Sequence, residues 1–336
     1  MHRPTLSAVA ALILLAPVHT SARAQGGSVS SQCPSGTAAQ RIAQDACQKS
    51  VDLFNYLAPQ LGAVLAGGNP EPGQGGTLGG LTNFGVSVRA SALRSPLPQF
   101  DQVPVQATGA RASAIPVRTT AVAFPVADVA IGLFHGLPVG ITRLGGLDLL
   151  LNAAYVPDVD AGNVRVRTNG GRLRVGYGAR LGLVGETALV PGVGLSVLRR
   201  ETPTASITGT SGNDTLGVSG TRVRTDSWRL TAGKRILFVS VAAGFGQDRY
   251  DARARVDGVV NDPLLGRASS SVDLRQTLTR NNVFGNLTLF ALPLARVVGE
   301  VGRTSGGTLA PTYNSIGGRR PDAAYTYASV GVRLGR

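Results

Sequence analysis

The sequence predicts an all-β fold. Its core is an antiparallel, membrane-spanning β-barrel of about ten strands, with twelve as the alternative count, preceded by an N-terminal helical segment. Three observations carry this reading. From Leu81 onward apolar residues recur with a period of two, over runs that match a tilted membrane strand of ~9–11 residues. The chain opens with a secretory leader. The connections between the alternating runs are in turn short and long, the asymmetry of barrels with tight periplasmic turns and long external loops.

Composition narrows the field. The chain has 336 residues, a formal charge of +14, 45 glycines and 15% charged residues. A disordered chain is poorer in apolar residues and richer in charge. After the first 24 positions no apolar run of ~20 residues exists, which excludes a helical membrane protein. Lys49 and Lys234 are the only lysines; every other basic residue is arginine. A basic balance suits nucleic acid, anionic lipid or an anionic solute, and guanidinium groups bind phosphate and carboxylate in bidentate fashion. A base-composition bias that replaces Lys by Arg accounts for the arginines equally well. Nucleic acid is not an expected partner, because clustered basic and aromatic stretches are missing and the chain is exported.

The elements follow in order. Residues 1–24 read as a signal peptide: a short polar start at His2 and Arg3, an apolar stretch from Leu6 to Val18, and Ala22-Arg23-Ala24 before Gln25. Cleavage after Ala24 leaves Cys33 and Cys47 as the only cysteines, expected to form one disulfide in an oxidising compartment. Residues 25–80 hold a helical pattern from Gly36 to Ala66, with Ser35 as N-cap, Pro59 as a kink or stop, and a Gly/Pro-rich linker. That helix either plugs the barrel or packs at the periplasmic rim or on a partner. Residues 81–336 form the barrel. Strands are expected at 81–93, 126–141, 147–168, 171–184, 189–208, 217–232, 235–256, 269–291, 295–303 and 323–335, from a periplasmic N-terminus. Thr168-Asn169-Gly170-Gly171 marks a hairpin between the third and fourth.

The run from Leu173 shows the logic. Leu173, Val175, Tyr177, Ala179, Leu181 and Leu183 share one face, and Arg174, Gly176, Gly178, Arg180 and Gly182 the other. Val175→Arg or Leu181→Arg is therefore expected to harm folding more than Gly178→Ser. With apolar faces toward lipid, Arg89, Asp148, Asn152, Arg174, Arg180, Arg229, Arg296, Glu300 and Arg333 face the lumen. Six arginines against two acids imply a positive interior, serving either an anion-preferring pathway or a packed polar filling. Asp45 and Asp52 on the helix are further acceptors if it enters the barrel. Trp228, Tyr155, Tyr177, Phe245, Tyr250, Tyr325 and Tyr327 are candidates for an aromatic girdle.

Catalytic motifs are missing: there is no phosphate-binding loop, no HExxH and no cysteine array, so neither metal nor cofactor is expected. His135 is the one histidine after the leader and the one candidate for a hydrolase acting at the external rim. Asp158 and Asp160 sit in an external bend, where a solvated turn is favoured over a calcium site. At this level the pattern from Leu81 to Arg336 resembles bacterial outer-membrane β-barrel proteins, with a distant likeness to hydrophobic-compound transporters that carry an N-terminal hatch. The resemblance implies the outer membrane as location, and lipid, lipopolysaccharide and the barrel-assembly machinery as partners. The function it implies is non-enzymatic: a narrow channel or transporter for a small solute, or a closed structural barrel. A soluble periplasmic or surface β-protein that binds a partner is the other alternative.

Overall fold

A computed structural model describes residues 26–69, 75–103, 105–161, 164–262, 264, 266–290 and 294–335. The expected leader, residues 1–24, and its expected cleavage site lie outside the described residues. Ten antiparallel strands close into a ring. They are β1 Phe84–Pro98, β2 Val117–Phe134, β3 Gly146–Tyr155, β4 Leu173–Val184 and β5 Gly192–Glu201. The ring continues with β6 Asp214–Ile236, β7 Val239–Asp262, β8 Gly266–Phe290, β9 Ala295–Ser305 and β10 Tyr325–Gly335. Each strand pairs with its sequence neighbours, and β1 meets β10 from Gly85 opposite Gly335 to Leu93 opposite Tyr327.

Three strands, β6, β7 and β8, are long, and their two halves obey opposite rules. On β7 the outward residues Val241 and Phe245 are apolar and exposed, while inward Ser240 and Asp248 are buried. Beyond Gln247 the outward row becomes Arg249, Asp251, Arg253, Arg255 and Asp257, and the inward row becomes Tyr250, Ala252, Ala254 and Val256. The switch marks the passage from lipid to water: in lipid the apolar face must point out, in water it must point in. Trp228 and Phe245 stack edge to face at this boundary, ring centroids 6.1 Å apart. Tyr250, Tyr325 and Tyr327 are buried inside, so they leave the girdle to Tyr155, Tyr177, Trp228 and Phe245.

The short connections, such as Leu237-Phe238, lie at one end and mark it as periplasmic. The long ones gather at the other. There the sequence boundaries fail in instructive places. The expected strand 147–168 stops at Tyr155, and residues 164–169 pair instead with 204–209, forming an arm carried by the upper half of β6. Gly170 and Gly171 do turn, with φ of 81° and 111°. The strands they join are not partners, because Pro157 and Pro203 interrupt both neighbouring ladders.

The helix α1, Ala38–Ala66, runs down the barrel interior. From Ile42 onward nearly every residue is buried, as for a helix surrounded on all sides. Its N-terminal half sits at the external end, where Ala46 packs on Gly258 and the chain before it reaches Pro311. The described chain thus begins on the external side, not the periplasmic one. The N-cap is Thr37 rather than Ser35, in a capping box with Gln40. Pro59 neither stops nor splits the helix. A proline frees the carbonyl four residues earlier, at a usual cost of ~3 kcal/mol. Here Asn55 O accepts from Gln276 Nε2 of the wall at 3.2 Å. Gly62 lies against the Tyr250 ring, where a Cβ would stand 2.6 Å from it.

The external loops are tied to the helix. Asp45 accepts from Lys49 Nζ at 2.6 Å and from the Gln106 and Arg111 backbone N–H groups. Asp52 accepts from the N–H groups of Tyr313 and Asn314 and from Asn314 Nδ2. These carboxylates hold the cap, so they are not the acceptors for the lumen arginines that the sequence suggested. Cys33 and Cys47 form a disulfide that pins the chain start to α1. A loop of this size is worth about 3 kcal/mol in the unfolded state. We expect Cys33→Ser with Cys47→Ser to leave the barrel heat-modifiable but to expose residues 26–37 to protease. Equal protease resistance would show that the pin is redundant.

The arm holds a pH-sensitive contact. Asp158 accepts from the Thr168 N–H at 2.8 Å and from Arg172 at 2.7 Å, and Asp160 pairs with Arg167 at 2.7 Å. These bonds use the carboxylates within the protein, as in a turn, not around a cation. The Thr168 N–H above all, then Arg172, holds the Asp158 carboxyl down at about 2. A depressed acid stabilises the fold above its unfolded value and loses that contribution as pH falls through the folded one. The arm should therefore lose protease resistance progressively as pH falls from about 4 to about 2, whereas Asp158→Asn should lack the transition.

Candidate functional site

The C-terminus of α1 ends inside the membrane-spanning part of the lumen, and a helix end there must find donors for its last carbonyls. Its own last turn carries no basic residue. The wall supplies them. Arg200 donates to Ala66 O at 2.7 Å and to Gly68 O at 2.9 Å. Arg229 also donates to Ala66 O, and Arg89 donates to Gly67 O at 2.8 Å. Three guanidinium groups from β1, β5 and β6 thus close on the negative end of the helix dipole. Gly68 adopts φ 82°, and a Cβ there would collide with Arg89 Nη1 at 2.0 Å; only glycine permits this approach.

Carboxylates complete the cluster. Asp128 Oδ2 accepts from Arg89 Nε at 2.6 Å, and Asn152 Nδ2 donates to its other oxygen. Asp248 lies 3.9 Å and Glu300 3.7 Å from Arg229. Glu300 also accepts from Tyr327 Oη at 3.0 Å and from the Asn69 N–H at 2.8 Å. Below, nearer the turns, Asp148 pairs with Arg180 at 2.6 Å and accepts the Leu78 N–H. The linker after the helix is therefore also fastened to the wall.

The structure places the sequence candidates as follows. Arg89, Asp148, Asn152, Arg180, Arg229, Glu300 and Arg333 are buried on the inner side, and Arg174 and Arg296 are half-buried. Arg89, Arg229, Asn152 and Glu300 meet around the helix end, whereas Asp148 and Arg180 form the second tie. Arg296 lies over the Phe290 ring at 4.7 Å, near the turns. Sequence reasoning missed Asp128, Asp248 and Arg200. Asp128 was findable: Val129, Ile131 and Leu133 form the outward row of β2, which leaves Asp128 inside. Asp128 and Asp248 add two acids to the interior and the buried Arg200 and Arg280 add two bases, so the excess of arginines implied by the sequence remains.

Two other expectations are corrected. Gly178→Ser is not benign, because a Cβ there would stand 2.2 Å from Val197 O. His135 is not at the external rim. It lies at the turn end, against Gly79 and Gly80, beside a cavity of about 640 Å³ with Arg143, Glu186 and Arg235.

The closed ring, the outward apolar band and the polar interior define a bacterial outer-membrane β-barrel with a helix in its lumen. No protein-family model matches the sequence, and no curated protein matches it. Among solved structures the chain is similar to the outer-membrane protease OmpT from Escherichia coli. Identity is 12% and the TM-score 0.37, over 76% of this chain and 97% of that one. It is also similar to Ail, the attachment invasion locus protein of Yersinia pestis, solved with the heparin analogue sucrose octasulfate. There identity is 7% and the TM-score 0.28, over 76% and 99% of the two chains. An anion-selective porin from Comamonas acidovorans shares 9% identity at a TM-score of 0.19, over 76% and 99%.

Proposed function

We propose that this protein is a non-enzymatic outer-membrane barrel held closed at rest by its own N-terminal helix. The clamp of Arg89, Arg200 and Arg229 on the carbonyls of Ala66, Gly67 and Gly68 supports this reading. The inward charged groups of this cluster are spent on the helix end and on one another, which is the work of a plug seat. His135 stands at the opposite end from the loops, which speaks against a hydrolase at the external rim.

Planar-bilayer conductance tests the proposal. The wild-type barrel should show no steady current. Arg200→Ala with Arg229→Ala removes every side-chain donor seen on Ala66 O, and should produce openings. The arginines left in the wall should make that current favour anions. Steady current through the wild type, unchanged in the double variant, would overturn the plug.

A further inference from the structure

The external part of the barrel wall is incomplete. β2 pairs with β1 along its length, but β3 reaches only to Val126, so Val117–Pro125 keeps an open edge among the described residues. Across from it, the arm on β6 ends at the short strand Val159–Ala161. Between the two edges lies a cavity of about 540 Å³, within the 300–1,000 Å³ typical of small-molecule sites.

The lining is apolar. Strand parity turns Val122 and Phe124 of the open edge inward, and the arm contributes Val164, Val166 and Ile207. Leu57 and Leu61 of α1 form the back wall. These side chains continue the core around the helix, yet stay half-buried because no described residue fills the space beside them. Arg118, exposed at the mouth, is the only charged residue on the lining, and no carboxylate accompanies it among the described residues. Val156-Pro157 and Thr202-Pro203 border the cavity immediately above the tops of β3 and β5. On β5 the outward ion pairs of Arg199 and Glu201 separate Thr202 from the apolar band, so the cavity opens above that band, on the external side of the membrane.

We propose that this cavity binds a single-tailed amphipathic acid, its apolar tail against α1 and the arm and its carboxylate on Arg118. An apolar chamber with one cation at its mouth matches a ligand with one apolar end and one anionic end, and the guanidinium fork fits a carboxylate. The site does not depend on whether the lumen conducts.

The test uses the full-length barrel in nanodiscs and a palmitic acid carrying a diazirine at the tail, with labelled residues mapped by mass spectrometry. Labels should fall on Val122, Phe124, Val164 or Ile207, and excess palmitate should suppress them while hexadecanol does not. Arg118→Glu, at an exposed position, should lower labelling about tenfold, the size of one lost charge-assisted hydrogen bond. Ile207→Trp should block labelling by filling the chamber, with heat-modifiable migration confirming that it folds. The proposal fails if labels appear only on outward residues such as Leu181 or Val197, or if Arg118→Glu changes nothing. It also fails if hexadecanol competes as well as palmitate, or if a phospholipid with the same diazirine tail labels the cavity in preference to the free acid.

Discussion

Arg180→Leu should cost the barrel about 3–5 kcal/mol, because it leaves a buried carboxylate without its cation. Asp148 is fully buried, and Arg180 reaches one of its oxygens through Nε at 2.9 Å and Nη2 at 2.6 Å. The measurement is the urea midpoint of the heat-modifiable form in lipid vesicles. Asp148→Leu alone should be similarly harmful. The double change removes both charges and should recover most of the loss. Recovery should stop short of complete, because the Leu78 N–H loses its acceptor and an unsatisfied buried donor costs ~1–3 kcal/mol. If the two single losses simply add in the double variant, the pair is not coupled and the linker is held by something else.

Leu181→Arg is the second large effect. Leu181 points outward on β4 within the apolar band, and an arginine facing lipid near the midplane costs ~2–4 kcal/mol. Asn281→Arg also points outward, but on β8 at the upper edge of the band, next to Val283. It should cost only ~0–1 kcal/mol, the value near an interface. Equal costs at the two depths would mean that the apolar ring does not face lipid. This comparison replaces Gly178→Ser as a control, since the backbone of β5 leaves no room for a side chain there.

Much of the wall was legible from residue order. Strand parity is local, and each run from Phe84, Leu147, Leu173 and Val330 states which face meets lipid without reference to its neighbours. The same parity misleads where a strand leaves the membrane. Along β7 the periodicity continues unbroken past Gln247, but the preferred face changes, and nothing local announces the height of the bilayer. The arm was likewise unreadable: residues 164–169 keep good alternation, yet they pair with 204–209 instead of continuing β3. That choice is made by two prolines acting together across the sheet.

The sequence by itself determined a barrel of about ten strands, with twelve left open, which end carries the loops, and six of the arginines on the inner face, because these follow from period, turn chemistry and loop length. Only the tertiary structure decided that the helix fills the lumen from the external side. Asn55 O finding Gln276, and Ala66 O finding Arg200 and Arg229, are contacts between residues more than a hundred positions apart. A proline in mid-helix and a terminus without basic residues look like local faults in the chain. They become tolerable once the wall supplies the missing donors, and the ring closure that brings those donors to the helix is not encoded in any one segment.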